Sequence, residues 1–485
     1  MVSFRAARHI VVPALLAALA LPLVPSTSAH ATEPAIDGAL TSTDSLVPSQ
    51  GNGGYDVQHY DINLTFKPAT IWLLTVRQCN TRGTIRPATI SATTTVTATA
   101  EQPLRSFSLD FKGLTISQVT VNGQAATWSR IANKAADSYK VVVRPAAPVE
   151  GQFTVALTYS GQPEAYSFEG GAVLDQGWLP NQHYCEGNYT VLPDGGYTAI
   201  GQPSGSFVWY PSNMAPTDKA TYTMRLTAPN AYSAVGIGRL VNKTKASSSQ
   251  TTWLWEETMP TPTFLTLASF GRYAEHSSTV SLDGQTVPVW AYGTAEMESD
   301  VGGWNHYNAL TAEILQWGTE NFGPYQPSAA GYVVAPANVG WALETVGRPF
   351  FSGNFDDRVY VHEYVHQWAG NSVTGADWSD LWLAEGFATY GEWLWDEDHG
   401  GANAVILARD TYWRRTGWAS ALWAYPVAHP NRSQLWGTPV YQGGGVALAA
   451  LRSGVGDETF DRIVKAWFTR YQNSVASTDD FVALA

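Results

Sequence analysis

The hydrophobic pattern of this chain changes its period once, and that change limits the fold more than any other feature. From residue 55 to about 273, apolar and polar residues alternate in short runs, as in Tyr60-Asp61-Ile62-Asn63-Leu64-Thr65-Phe66, Thr95-Val96-Thr97-Ala98-Thr99 and Phe153-Thr154-Val155-Ala156-Leu157-Thr158-Tyr159. Alternation of period two, with Gly, Pro and Asn between the runs, predicts antiparallel sheet, so residues 55–274 are expected to form an all-β domain. Past residue 275 one more β region at 287–292 leads into helical spacing over 307–322, a strand at 331–334, and helices over 359–367 and 382–395. Strands first and helices later predict an α+β multidomain chain whose second domain covers residues 275–485.

The start of the chain reads as an address rather than a fold. Arg5 and Arg8 precede an apolar run over residues 10–24, and Ala29-His30-Ala31 supplies small residues suited to cleavage, so residues 1–31 are expected to be a secretory signal peptide. Residues 32–54, rich in Ser, Thr, Pro and Gly without periodicity, read as a flexible leader. No later segment reads as a membrane span, and no membrane association is expected once the signal is removed. With 28 Lys and Arg against 41 Asp and Glu, the formal charge of −13 repels polyphosphates, which excludes nucleic acid as a partner class. Cys79 and Cys185 allow one disulfide at most, and sequence leaves open whether they meet. Residues 71–86 break the alternation with Trp72, Arg77, Cys79, Arg82 and Arg86; nothing in their pattern assigns them a role. No feature sets an oligomeric state.

The chemistry is carried by His362-Glu363-Tyr364-Val365-His366. On a helix, positions i and i+4 share a face, so both imidazoles can hold one zinc ion while Glu363 sits beside its water. Glu385 follows His366 after eighteen intervening residues, inside Trp382-Leu383-Ala384-Glu385-Gly386-Phe387-Ala388-Thr389-Tyr390. A carboxylate from a second helix completes a three-ligand set and leaves the fourth position open, which is the pattern of catalytic rather than structural zinc.

With that spacing and the flanking Gly370-Asn371-Ser372-Val373-Thr374 and Trp378, the second half resembles the gluzincin aminopeptidases, the family of alanyl and leucyl aminopeptidases and leukotriene hydrolase. Gly201-Gln202-Pro203, Trp209-Tyr210-Pro211 and Asp218-Lys219-Ala220-Thr221-Tyr222 extend the resemblance into the β half. It implies a saddle- or sandwich-like β domain followed by a thermolysin-like zinc domain, one zinc ion per chain, and peptide substrates with a free N-terminus. Metal ligands would be His362, His366 and Glu385, with Glu363 as general base. Trp341-Ala342-Leu343-Glu344-Thr345 stands where the family carries its exopeptidase loop, departing from it at Trp341, Leu343 and Thr345 and lying closer to the metal motif. The resemblance places Glu344 and Gln202 on the substrate's α-amine, Ala342 in the same substrate-binding loop, and the Tyr441 hydroxyl on the oxyanion.

Rival readings share parts of this pattern. A thermolysin-type endopeptidase has the same metal helix without an amine clamp. A non-catalytic binding protein could use the scaffold, although the four metal-site residues are intact. The 20 Trp would suit a glycosidase, but Trp368, Trp378, Trp382, Trp393 and Trp395 flank the zinc motifs, where helix packing accounts for them. Epoxide hydrolysis, also found in the family, remains a further alternative. The chain stops at Ala485 in what reads as the start of an unfinished helix, whereas many relatives continue into a helical domain; a more open cleft admitting longer peptides is the expectation.

Overall fold

Residues that alternate in sequence alternate in burial. In a computed structural model that describes residues 34–73, 83–168, 174–184, 191–294, 303–337, 339–353, 355–413 and 421–485, Tyr60, Ile62, Leu64 and Phe66 are fully buried on one face of a strand, while Asp61 and Asn63 point away. Each such ring or aliphatic chain contributes roughly 1.5–3 kcal/mol when withdrawn from water, enough to fix which face of the strand turns inward.

In chain order the elements used below are β1 (Ile36–Asp37), β2 (Tyr55–Lys67), β3 (Thr89–Asp110), β4 (Val149–Gly161), β5 (Lys219–Pro229), β6 (Gln250–Pro262), β7 (Gln285–Gly293), β8 (Ala330–Val334), β9 (Ala342–Leu343) and β10 (Phe350–Phe351). The large sheet of the β half runs Arg239–Lys245, β6, β5, β2, β3, β4 and Thr115–Val121 across its width. Register places Tyr60 opposite Val96 and Val96 opposite Val155, so the buried faces of three strands coincide. A second sheet carries Leu174–Tyr184, Val191–Ile200 and Leu267–Gly271, and Phe66 stacks on Phe270 at 4.4 Å where the two meet.

The second half has its own sheet, Ala274–Leu282, β7, β8, β10 and β9, with β9 added antiparallel at the edge. Its helices are α1 (Trp304–Phe322), α2 (Asp357–Val365), α3 (Trp382–Asp398), α4 (Ala404–Trp413), α5 (Gly444–Val455), α6 (Asp457–Arg470) and α7 (Thr478–Leu484). A β-rich domain followed by a helix-rich domain is therefore the architecture, as the change of period implies.

One expectation fails. Residues 35–54 are not a free leader. β1 pairs in parallel with β3, and Asp37 receives two hydrogen bonds from Arg105. Val47 is 2% exposed, Asn52 bridges Asp110 and Asn213, and Asp44 and Ser45 bond to Trp378 and Asp377. Polar composition without periodicity reads as a loop, but here Asp44, Gly51 and Asn52 among others bond to buried partners within the protein.

The irregular stretch at 71–86 begins and ends in an antiparallel pair, Thr70–Leu73 with Gly83–Arg86. Arg77, Cys79 and Arg82 within it, Cys185, and the signal-like residues 1–31 lie outside the described residues. Among the described residues no helix is long and apolar enough to cross a membrane.

Candidate metal centre

The metal motif sits on α2, a nine-residue helix whose first turn is capped by Asp356, which accepts a hydrogen bond from Val359 N at 3.0 Å. The helix ends at His366, whose N–H still reaches His362 O at 3.3 Å, so the two histidines stay one turn apart on one face. Glu385 comes from the first turn of α3, which packs against α2. Both histidine Nε2 atoms converge on one carboxylate oxygen: Glu385 Oε2 is 3.3 Å from that of His362 and 3.2 Å from that of His366.

Whether these residues fit a zinc ion can be tested on the other side of each ring. His362 Nδ1 faces Glu392 Oε1 at 2.7 Å, and His366 Nδ1 faces Ala369 O at 2.9 Å. Acceptors there hold the proton on Nδ1 and turn the Nε2 lone pair inward, the arrangement that metal-binding histidines use. One ligand atom from each of the three residues lies within 4.8 Å of the others. Glu363 Oε2 is buried without a hydrogen-bond partner, as an atom that meets a bound water would be. Two imidazoles and a carboxylate are a donor set for zinc, and they fit it.

Charge supports the same conclusion. Glu363, Glu344 and Glu385 are each less than 7% exposed and influence one another. Burial is the largest effect on Glu363 and Glu344, pushing Glu363 up to about 8 and raising Glu344. A dication held by His362, His366 and Glu385 would offset the repulsion of so many buried carboxylates.

Glu344 follows the edge strand β9, and Gln202 Nε2 donates to its Oε1 at 2.7 Å across the two halves of the chain. The loop is tied down from several sides. Asn371 Nδ2 and Gln367 Nε2 donate to Glu344 O at 2.7 and 3.3 Å, and Val346 N donates to Leu265 O. Arg348 is wholly buried, donates to the carbonyls of Gly236, Gly238 and Trp290, and lies over the Trp255 ring. Lys219 Nζ donates to Asn371 O and Ser372 O at 3.0 and 2.7 Å, fixing the turn after the metal helix to the β half. Ala342 is half-buried and pairs with Phe351 in the edge strand; its part in binding rests on the resemblance alone.

Tyr441 lies in a π-helical turn, Pro439–Gly443, that opens α5. Such turns are concentrated at functional sites. Its ring lies parallel to that of His362 with centroids 6.1 Å apart, and its phenol feels the charge of Glu385. Burial, then the charges of Glu385 and Glu344, push the phenol well above its usual range, so it stays protonated and can donate.

The structure thus brings His362, Glu363, His366, Glu385, Glu344, Gln202 and Tyr441 into one site. Sequence reading passed over Glu392, although it stands two helical turns after Glu385 and so on the same face. Glu392 also takes a 2.7 Å ion pair from Arg358 on α2.

Comparison with known proteins agrees with this geometry. Residues 57–265 match the Peptidase M1 N-terminal domain and residues 356–484 the Peptidase family M1 domain. Aminopeptidase N of Streptomyces lividans is 25% identical over 57% of this chain, and aminopeptidase N of Escherichia coli K12 is 33% identical over 26% of it. Those matches span only 34% and 15% of the two relatives' own lengths. Among solved structures, the M1 zinc metallopeptidase of Deinococcus radiodurans superposes with a TM-score of 0.76 at 29% identity, covering 91% of this chain and 92% of that one. A mutant of it bound to a Tyr-Ser-Ala substrate gives 0.75 at 29% identity, covering 91% and 93%. With a zinc-fitting trio on the expected helices and both halves matched by their own family domains, this chain belongs to the M1 family of zinc metallopeptidases.

Proposed function

We propose that this protein is a secreted aminopeptidase that removes the first residue from peptides with a free N-terminus. The observation that carries the reading is the buried Gln202–Glu344 pair beside the metal trio, because it offers two acceptor groups to an ammonium within reach of Glu363. An endopeptidase has no use for such a clamp. The aminopeptidase N relatives and the tripeptide bound by the Deinococcus neighbour support the same substrate class.

Zinc held by His362, His366 and Glu385 supplies the Lewis acidity that makes water a nucleophile at neutral pH. Glu344 and Gln202 hold the α-ammonium, which leaves the first peptide bond as the one presented to the site. Glu363 takes the water proton at its unpartnered Oε2 and then gives it to the leaving amine nitrogen. The Tyr441 hydroxyl donates to the carbonyl oxygen as charge develops there. Secretion rests on the signal-like residues 1–31 and is checked by N-terminal sequencing of the protein from culture medium, with Thr32 expected first.

The activity is tested by incubating the purified chain with a decapeptide and following products by mass spectrometry. Stepwise loss from the N-terminus, stopped by a chelator and restored by zinc, is expected. Internal fragments would refute the exopeptidase reading.

A further inference from the structure

A narrow, mostly apolar pocket opens beside Gln202 and Glu344, walled by Phe264, Asp377, Trp378 and Leu381. If the α-amine is held by Glu344 and Gln202, the side chain of the substrate's first residue enters this pocket. Asp377 and Trp378 do not stand alone as a wall: within residues 42–54, Asp44 bonds to the Trp378 amide and Ser45 to the Asp377 carboxylate.

We propose that this segment is a strap that sets the shape of the first-residue pocket, with Asp44 as the positioning residue; the proposal rests on the aminopeptidase reading above. Asp44 is 6% exposed, and its hydrogen bonds are to backbone amides. Oδ1 accepts from Leu46 N and Val47 N at 2.9 and 2.7 Å, which folds the strap into a turn. Oδ2 accepts from Trp378 N at 2.8 Å, the first residue of the short helix Trp378–Asp380. Ser45 completes the joint, donating its N–H and hydroxyl to Asp377 at 2.6 and 2.7 Å. Asp377 in turn accepts from Ser379 N at 2.8 Å, capping the same helix.

The consequence is directional. The Trp378 ring packs on Phe264 with centroids 4.9 Å apart, and both rings face the pocket. Removing the Asp44 carboxylate leaves the Trp378 amide buried and unpaired, and the turn must move to find another acceptor. The rings that give the pocket its width move with it. The metal trio, on α2 and the first turn of α3, keeps its own partners. The chain is anchored independently on either side of Asp44, by Asp37 to Arg105 ahead of the strap and by Gln50, Gly51 and Asn52 to Asp137 and Asp110 at its end. Loss of one distant anchor therefore does not mimic loss of Asp44.

The test uses the zinc-loaded full chain carrying Glu363→Gln, so that bound peptide is not consumed, with Leu-Gly-Gly and Ala-Gly-Gly as calorimetric probes. With the strap intact the Leu peptide is expected to bind more tightly, because its side chain buries more apolar surface against Phe264 and Trp378. Adding Asp44→Ala is expected to weaken the Leu peptide roughly 10-fold and the Ala peptide by less than about 2-fold, since only the larger side chain reads the pocket wall. Amide exchange at residues 377–381 should rise in the same variant. Asp37→Ala, at the strap's far anchor, is the control and should change neither quantity. An unaltered Leu preference in folded Asp44→Ala protein, or the same loss in Asp37→Ala, overturns the strap proposal alone. Failure of both peptides to bind with the strap intact overturns the aminopeptidase reading and the strap with it.

Discussion

Gly386 on α3 and Gly444 at the start of α5 face each other across a helix contact that admits no side chain. A Cβ built on Gly444 would lie 2.7 Å from Gly386 Cα, and one on Gly386 would lie 2.8 Å from Gly444 Cα. Gly386 follows Glu385 of the candidate metal trio, and Gly444 lies three residues after Tyr441. The close approach of the two backbones brings Tyr441 and Glu385 from separate helices to the same site. Gly444→Ala should cost about 1–3 kcal/mol through overpacking. By displacing Tyr441 it should also lower kcat roughly 10- to 100-fold with zinc content unchanged. Thermal melts and steady-state rates check this, and an Ala variant with full kcat would contradict it.

Tyr441→Phe isolates the hydroxyl. The ring stays beside His362 and only the hydroxyl proposed as the oxyanion donor is lost, so kcat should fall about 10²–10³-fold while KM and zinc stoichiometry stay near those of the parent. A variant with unchanged kcat would remove Tyr441 from the mechanism.

Glu392 holds His362 from behind and is itself held by Arg358. Glu392→Gln keeps the shape but weakens the acceptor for His362 Nδ1, and zinc affinity is expected to drop about 10- to 100-fold. Competition against a graded series of chelators measures it. The Glu363→Gln chain should show the opposite pattern, with zinc bound as in the parent and kcat down by about 10²–10⁴-fold or more.

Arg452 on α5 clamps α3 by donating to both oxygens of Glu397 at 2.9 Å each, and also reaches Asp457 and Tyr390. Burial tends to raise Glu397, but Arg452 and the backbone of Ala404 outweigh it and hold the carboxyl below its usual value. A carboxyl depressed in the folded state contributes stability that is present above its unfolded pKa and lost as pH falls through the folded one. Arg452→Met should therefore cost about 1–3 kcal/mol at pH 7. Its deficit against the parent should shrink below about pH 4.5, where the unfolded carboxyl begins to protonate. A deficit independent of pH in denaturant titrations would show that packing, not the ion pair, carries the joint.

Much of this was legible in the chain because the signals were periodic. Alternation over Tyr60 to Phe66 reports a half-buried strand, and the i, i+4 histidines report one helix face, whatever lies elsewhere in the sequence. Glu385 was legible because its spacing from His366 belongs to a known motif. Glu392 carried a readable signal that went unused, two turns further along the same helix. Asp44 carried none: its partner Trp378 is 334 positions away, and a polar residue in an aperiodic stretch looks the same whether it meets water or a buried amide. Arg348 was hidden for the same reason, since its acceptors are backbone carbonyls, which leave no trace in side-chain pattern.

The exopeptidase reading turns on whether Glu344 and Gln202 read a charged amine. The direct measurement is kcat/KM for one tripeptide in free and N-acetylated form, on the parent chain and on Glu344→Ala. In the parent the free form should be preferred by about 10³-fold or more, and Glu344→Ala should lose most of that preference through slower turnover of the free form. Equal rates on both forms in the parent, or a preference untouched by Glu344→Ala, would contradict the amine clamp and leave a zinc peptidase of another specificity.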